Sequence, residues 1–248
     1  MPTKIEIQNL RKVYDTSERK VHALEDINIK IEDGEFICMV GLSGCGKTTL
    51  LNILAGFVEI TAGTVYMDGK TITQEYDKGV VFQEYALFPW LTARQNVEYG
   101  LKIRNVPSEE RGKIAAEYLK LVRLEEFADM FPHSLSGGMC QRVAVARALA
   151  FDPQVLLMDE PFGALDAQTR EELQELTVDV WQKTKKTVIY VTHNLSEAVF
   201  MGNRIVVFIP QPGRVREIIK VDLPRPRDSL SPEFIAIQRR INELIRDW

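Results

Sequence analysis

The segment Gly41–Thr48, GLSGCGKT, has the residue types and spacing of a loop that binds phosphate. It fits the pattern GxxxxGK[ST], and it lies between a buried strand predicted at 36–40 and a helical run that begins at Thr49. Glycines allow backbone N–H groups to surround an anion, and the positive end of the following helix adds to the attraction. We therefore expect nucleotide contacts from Gly41, Ser43, Gly44, Cys45, Gly46, Lys47, Thr48 and Thr49.

Within this loop, the side chains of Lys47 and Thr48 have the chemistry to act on a nucleoside triphosphate. The ammonium of Lys47 is expected to reach the β- and γ-phosphates, and the hydroxyl of Thr48 is expected to ligate Mg²⁺. Thr49 is placed to contact the α-phosphate. Cys45 lies at a helix N-terminus, which favours the thiolate, so alkylation should inactivate the protein and the bound nucleotide with Mg²⁺ should protect it. The alternatives are a glycine-rich turn that matches by chance and a buried, unreactive Cys45 thiol.

Two carboxylates, Asp159 and Glu160, end the apolar run 155–158. Parallel sheets bind their ligands at the carboxyl ends of the strands, so these side chains are placed for catalysis. Asp159 is expected to hold Mg²⁺ through water, and Glu160 to act as the general base on the attacking water. An apolar strand ending in Asp-Glu is common by itself. Together with the loop it predicts a nucleoside triphosphatase and leaves a kinase, a GTPase or a motor open.

Two kinds of strand pattern surround these motifs. Ile5–Ile7 and Ile27–Ile31 alternate with period two, which predicts half-buried antiparallel strands. Buried central strands are predicted by continuous apolar runs at 36–40, 155–158, 188–191 and 205–208. Helical stretches separate these runs, which indicates an α/β fold with a mainly parallel sheet. The region from about 87 to 134 is mostly helical in pattern and predicts a helical insertion.

Composition excludes several classes of protein. The chain has 248 residues, with 31 Lys+Arg against 35 Asp+Glu, and its net charge of -4 argues against a nucleic-acid binder that works by charge. No apolar run approaches the roughly 18–20 residues of a membrane span. The N-terminus resembles neither a signal peptide nor a transit peptide. Three cysteines without paired or metal-ligand spacing predict a reduced, cytosolic chain.

The segment Leu135–Met139, LSGGM, distinguishes among the triphosphatases. Together with the motifs above, it closely resembles the signature of the ATP-binding cassette (ABC) ATPases, and the resemblance covers roughly Ile5 to Val221. Tyr14 resembles the adenine-stacking aromatic of that family, and Gln83 resembles its Q-loop glutamine. Asp166 resembles its D-loop aspartate, and His193 resembles its switch histidine. Met139 stands where glutamine is commonest, which puts in doubt a polar contact from that side chain.

The resemblance implies a RecA-like P-loop NTPase fold, with an N-terminal antiparallel β subdomain and an inserted α-helical subdomain. Residues 1–86 and 145–221 would form the ATP-binding core and residues 87–144 the helical subdomain. Residues 222–248 would form a linker, which includes Pro224–Arg227, and a C-terminal helix.

The resemblance also implies roles for the site residues. Two cassettes would form a head-to-tail dimer in which one signature binds the γ-phosphate of ATP held by the other, through Ser136, Gly137 and Gly138. Gln83 would sense Mg²⁺ and the attacking water, and Asp166 would couple the two sites. His193 would hydrogen-bond the γ-phosphate and keep Glu160 oriented. The implied Mg²⁺ ligands are Thr48, Gln83 and Asp159.

Five stretches resemble the ATPase subunits of nitrate/sulfonate/taurine importers, namely residues 77–83, 87–92, 131–139, 159–167 and 212–215. This resemblance implies an ATP-hydrolysing subunit, acting as a homodimer beneath two permease subunits at the cytoplasmic face of the membrane, with an external solute-binding protein. An apolar cleft for the permease would be formed by Tyr85, Leu87, Phe88, Pro89 and Trp90, with Phe88 and Trp90 partly buried. The alternatives are the cassette of a lipid or toxin exporter and a soluble, non-transport ABC ATPase.

Overall fold

The computed structural model describes residues 2–15, 19–72 and 78–246. They fall into two compact units, a first unit of 1–76 with 187–248 and a second unit of 77–186. Asp77 and the last two residues of the expected C-terminal helix lie outside the described residues.

The first unit contains β1 (Thr3–Asp15), β2 (Lys20–Glu32), β3 (Phe36–Gly41), α1 (Lys47–Ala55), β4 (Ala62–Met67) and β5 (Lys70–Thr71). The second contains β6 (Lys78–Val81), α2 (Ala93–Ile103), α3 (Ser108–Leu121), α4 (Gly137–Ala150), β7 (Val155–Asp159) and α5 (Ala167–Thr184). The first unit then resumes with β8 (Thr187–Val191), α6 (Leu195–Met201), β9 (Arg204–Ile209), β10 (Arg214–Lys220) and α7 (Pro232–Arg246).

An antiparallel sheet in the first unit confirms the prediction from period-two alternation. Its strands lie in the order β2-β1-β4-β5, and Ile5 on β1 lies opposite Ile31 on β2. Both isoleucines are fully buried, because alternate residues of a strand face the same side. On the other face Glu6 and Lys30 form an ion pair at 2.9 Å. The sequence pattern therefore placed the correct face of each strand in the core.

The first unit also contains the strand that precedes the glycine-rich loop. β3 is buried along its whole length, as its continuous apolar run predicted, and it lies parallel to both β8 and β9. Met39 on β3 is in register with Val191 on β8, so the two strands end at the same edge. The loop after β3 and the turn after β8, which carries His193, therefore begin side by side.

In the second unit β6 and β7 are parallel, with Val81 in register with Met158. Helices α2 and α3 and two short 3-10 turns at 125–127 and 132–134 confirm the predicted helical stretch. Asp166 caps α5, since its side chain accepts a hydrogen bond from the Thr169 N–H at 3.0 Å. One face of α5 is apolar and buried, at Leu173, Leu176 and Val180.

The expected C-terminal helix, α7, begins at Pro232, and the Ser231 hydroxyl caps it by accepting from the Phe234 N–H at 3.3 Å. The preceding Pro224–Arg227 segment, which was predicted to be a linker, is fixed to the fold. Arg227 is buried and its guanidinium donates to backbone carbonyls of the first unit. The composition of this segment does not reveal the anchoring, because a stretch of Pro and Arg is as typical of an exposed linker as of a segment that packs on the fold.

Candidate functional site

The loop between β3 and α1 has the backbone geometry of an anion site. Gly46 has φ +93°, and a Cβ at this position would lie 2.5 Å from the Leu24 side chain, so a larger residue would be both strained and crowded. Gly46 is also the N-cap of α1, and a glycine has no side chain to bond the first-turn N–H groups. No side chain at the cap therefore accepts from the first N–H groups of α1, and the positive end of this helix faces the loop.

Lys47 provides a buried positive charge in the same loop. Only 5% of the residue is exposed, and its Nζ donates to the carbonyls of Gly41 at 2.8 Å and Leu42 at 3.1 Å. Among the described residues no carboxylate forms an ion pair with this ammonium. Buried charges are normally neutralised by a partner, so a cation held by two carbonyls and the Cys45 sulfur, beside a helix N-terminus, fits an anionic ligand such as a phosphate chain.

The structure contradicts the expectation that Cys45 is a ready thiolate. Its side chain is fully buried, and that burial raises the pKa of the thiol, although Lys47 Nζ lies 3.6 Å from Sγ and partly opposes the rise. Loss of hydration disfavours the thiolate more than the neighbouring ammonium favours it. Burial also raises the pKa values of Cys38 and Cys140.

We expect Cys45 to react slowly with N-ethylmaleimide at pH 7 and progressively faster above about pH 9, because a raised pKa keeps the thiol protonated below that range. Mass spectrometry of the folded protein over time, from pH 7 to 10, would measure this. Urea-unfolded protein is the control, in which all three cysteines should be labelled at pH 7. Stoichiometric labelling of folded Cys45 within minutes at pH 7 would contradict this account.

Tyr14 and His193 also belong to the first unit. The exposed His193 follows Thr192, whose N–H donates to the Met39 carbonyl at 3.1 Å, so the histidine stands at the edge where β3 ends. Tyr14 is half-buried near the end of β1, with Lys12 Nζ 4.7 Å from its ring centroid. The stacking of Tyr14 on a base stays a prediction.

The second unit brings together Gln83, Asp159 and Glu160 at one sheet edge. Gln83 follows β6 and the two carboxylates end β7, and parallel strands in register present these ends together. A Cβ on Gly163 would lie 3.4 Å from both the Gln83 side-chain nitrogen and the Glu160 carbonyl oxygen. The glutamine amide and the backbone of Glu160 thus border the same small space.

Glu160 has a backbone conformation that ordinary residues seldom adopt. Its φ is +43°, in the left-handed region, and its carbonyl accepts from the Gly163 N–H at 3.1 Å in the turn that follows. Such residues cost of order 1–3 kcal/mol and persist where the surroundings fix them, often at functional sites. The carboxylate therefore leaves the strand end in a direction set by this turn.

The signature residues open α4, which begins at Gly137. The Ser136 hydroxyl accepts from the Met139 N–H at 3.3 Å and caps the helix. A Cβ on Gly137 would lie 2.7 Å from the Tyr85 hydroxyl, and one on Gly138 would lie 2.5 Å from Thr169 Cγ2. A larger residue at either position would force the neighbouring side chain, Tyr85 or Thr169, to move away from the helix backbone.

Asp166 is an exposed cap on α5. The hydrogen bond from the backbone N–H of Thr169 lowers the pKa of its carboxyl below the ordinary value. Asp166 therefore presents an ionised carboxylate at the surface of the second unit, where the resemblance places the D-loop.

A cavity of about 800 Å³ in the second unit adjoins the signature helix. Its walls come from 83–87, from 132–140 and from Ala164; the residues are Gln83, Glu84, Tyr85, Ala86, Leu87, Pro132, His133, Leu135, Gly137, Cys140 and Ala164. Arg147 on α4 holds one wall, donating to the carbonyl oxygens of Ala86 at 2.6 Å and Tyr85 at 3.3 Å. The loop after Gln83 and the signature helix are therefore bonded to each other.

The expected apolar cleft is confirmed only in part. Tyr85 and Leu87 line the cavity, whereas Phe88 packs on Trp90 and Tyr99, with ring centroids 5.6 and 4.3 Å apart. Phe88 is half-buried as expected. The expected burial of Trp90 is wrong, since 69% of it is exposed. Cys140 and Arg147 belong to none of the motifs in the sequence, although their separation by seven residues, two helical turns, places them on one face of α4.

None of the helices within the described residues combines the length and the apolar character needed to cross a bilayer.

Known proteins resemble this chain along most of its length. A family model described as ABC transporter matches residues 24–163. An uncharacterized ABC transporter ATP-binding protein of Methanocaldococcus jannaschii is 49% identical over all of this chain and 93% of that protein. The nitrate import ATP-binding protein NrtD of Synechocystis is 44% identical over 98% of this chain and 95% of its own length. The taurine import ATP-binding protein TauB of Rhizobium johnstonii is 45% identical over 92% of this chain and 90% of its own length.

A solved structure agrees with this assignment. An ATP-binding cassette, determined as a dimer in a post-hydrolysis state with ADP and phosphate, has a TM-score of 0.78 and 37% identity, over 89% of this chain and all of that chain. This chain thus matches these proteins in sequence and in fold. It also contains the glycine-rich loop with its buried lysine, the acidic strand end and the capped signature helix. This chain belongs to the ABC transporter family.

Proposed function

We propose that this protein is the ATP-hydrolysing subunit of an importer of the nitrate/sulfonate/taurine class. The observation that carries the proposal is the buried ammonium of Lys47, held by carbonyls beside the glycine-capped start of α1. That arrangement suits a triphosphate, and the similarity to nitrate and taurine import subunits supports the transport role. The transported solute is chosen by other components, because a cassette does not contact it.

Nucleotide binding is assigned to the first unit's loop. Backbone N–H groups of residues 41–49 and the Lys47 ammonium would bind the phosphates, with Tyr14 against the base. The hydroxyl of Thr48, the amide of Gln83 and the carboxylate of Asp159 are oxygen donors of the kind that Mg²⁺ prefers, and they would hold that ion. When bound, Mg²⁺ would neutralise charge on the β- and γ-phosphates.

Hydrolysis is assigned to Glu160, His193 and Gln83. Water attacks the γ-phosphorus, the bond from that phosphorus to the oxygen on the β-phosphorus breaks, and the water proton passes to the Glu160 carboxylate. His193 donates a hydrogen bond to the γ-phosphate and keeps Glu160 oriented. Gln83 orients the water through its amide, which borders the backbone of Glu160.

A second cassette, most simply an identical copy, would complete each site. Ser136, Gly137 and Gly138 would direct the N-terminus of α4 toward the γ-phosphate held by the other copy. Asp166 would couple the two sites across the dimer through its ionised carboxylate. The dimeric cassette that resembles this chain supports this arrangement.

We propose that the cavity at 83–87 receives a helical segment of the permease. Leu87→Glu should reduce the permease recovered with the tagged chain by on the order of 10-fold, because docking would bury an unpaired carboxylate. Ile103→Glu is the matched control, an exposed apolar residue of the same unit outside the cavity wall, and should leave recovery unchanged. Equal recovery with both variants would place the permease elsewhere.

Affinity purification of the tagged chain from detergent-solubilised native membranes, followed by mass spectrometry, tests the whole proposal. A polytopic permease in near-equal amount supports an importer subunit at the cytoplasmic face of the membrane. Its external binding protein could then be screened for the solute. A permease fused to its own cassette would favour an exporter, and exclusively ribosomal or DNA-bound partners would favour a soluble ABC ATPase.

A further inference from the structure

Helix α6 begins directly after His193, and its N-terminal end is bonded to both neighbours of that histidine. The Asn194 side chain caps the helix by accepting from the Glu197 N–H at 3.3 Å. The Thr192 hydroxyl accepts from the Asn194 N–H at 3.0 Å and donates to Glu197 Oε2 at 2.7 Å. The Tyr190 hydroxyl donates to the same oxygen at 3.1 Å. The backbone of His193 is thus fixed to α6 on either side.

The C-terminal end of α6 is bonded to the segment before α7. A helix leaves its last four carbonyls without helical partners. The Gly202 N–H bonds the first of them, that of Ala198, at 2.9 Å. Arg225 and Arg227 donate to the other three, which are the carbonyls of Val199, Phe200 and Met201.

Arg227 is the centre of this contact. It is 7% exposed, and its guanidinium also donates to the carbonyls of Gly202 at 2.6 Å and Val221 at 3.1 Å. Burial, with the nearby charge of Arg225, lowers the pKa of Arg227 to about 10. Within the described residues it has no carboxylate partner. A buried guanidinium is costly unless its N–H groups have hydrogen-bond acceptors. Here five backbone carbonyls accept from it, and three of them lie at the negative end of α6.

We propose that Arg227, assisted by Arg225, is a positioning residue for His193, acting through α6. The helix is short, so its two ends are one rigid piece, and a shift at Val199–Gly202 displaces Thr192 and Asn194 with it. The segment 222–231 would then control the rate of hydrolysis although it belongs to no motif of the nucleotide site. This inference rests on the role proposed above for His193.

The test compares Arg227→Lys and Arg225→Lys in the full-length protein. Lysine keeps the charge but loses the planar set of donors that bonds several carbonyls at once. We expect kcat for MgATP hydrolysis to fall by on the order of 10-fold, with KM and the Kd for ATP changed less than about twofold, since a small misplacement of a catalytic group costs rate rather than binding. Arg240→Lys is the control, because Arg240 pairs with Glu217 on β10, and it should hydrolyse ATP like the parent protein.

Combination with His193→Ala separates positioning from general damage to the fold. If Arg227 acts through His193, Arg227→Lys should lower kcat by less than about twofold in the His193→Ala background. A repeated 10-fold loss in that background would overturn the inference, and so would an unchanged kcat in both single lysine variants. Arg225, which is less buried, provides the same comparison if Arg227→Lys does not fold. Normal hydrolysis by His193→Ala alone would instead refute the role proposed for His193.

Discussion

Glu160→Gln is expected to lower kcat for ATP hydrolysis by on the order of 10²–10⁴, because an amide cannot accept the proton of the attacking water. The amide is nearly isosteric with the carboxylate, and the left-handed backbone at Glu160 is kept by the turn to Gly163. ATP binding should therefore survive. Bound but unhydrolysed ATP should hold two cassettes together, so size-exclusion chromatography with MgATP should show a dimer that the parent protein does not accumulate.

Glu175→Gln is the matched control for this variant. Glu175 is an exposed residue of α5 in the same unit, and its replacement removes the same charge without touching the end of β7. It should hydrolyse ATP at the parent rate and show no trapped dimer. A Glu160→Gln protein that hydrolyses ATP normally and remains monomeric would remove Glu160 from the mechanism.

Lys47→Met is expected to weaken nucleotide binding strongly without harming the fold. A hydrogen bond to a charged group contributes about 1.5–3 kcal/mol, so removal of the ammonium should weaken ATP binding about 10- to 100-fold. Methionine fills a similar volume and leaves no buried charge. At an ATP concentration 100 times the Kd of the parent protein, ligand binding stabilises the folded state by about 2.7 kcal/mol. For a chain of this size that is a rise in Tm of about 5–10 °C, of which the variant should lose about half to 85% at the same ATP concentration.

Thermal unfolding with and without MgATP measures both parts of this prediction. Without nucleotide the Tm of Lys47→Met should lie within a few degrees of the parent value. Lys70→Met, which removes an exposed lysine of the same unit, should keep the full increase with MgATP. If Lys47→Met responded to MgATP like the parent, the loop would not be the main phosphate site.

The elements that hold the site were predictable because their signals are local. Continuous apolar runs identified β3, β7, β8 and β9, since a strand covered on both faces needs apolar residues at every position. The caps at Asp166 and Ser231 were also predictable, since a capping side chain bonds N–H groups only two or three residues further along the chain.

Features that depend on distant residues were not predictable. The sequence shows the helix N-terminus beside Cys45, but it does not show the burial by the folded unit that raises the pKa of the thiol. The exposure of Trp90 and the anchoring of Arg227 depend on which surfaces the fold leaves open. The left-handed backbone of Glu160 also carries no signal, because Glu is not a residue that favours this conformation.

The two hydrogen bonds from Arg147 to the carbonyls of Tyr85 and Ala86 have a mechanical consequence. A loop without such bonds is compliant, and it would absorb a push on the cavity wall by bending its own backbone. This loop is braced against α4, so a push on 85–86 moves the helix as a stiff rod. Gly137 lies ten residues from Arg147 on the same helix, about 15 Å away. A displacement of the loop at the cavity therefore moves the N-terminal end of α4, which carries the signature residues, instead of only deforming the loop.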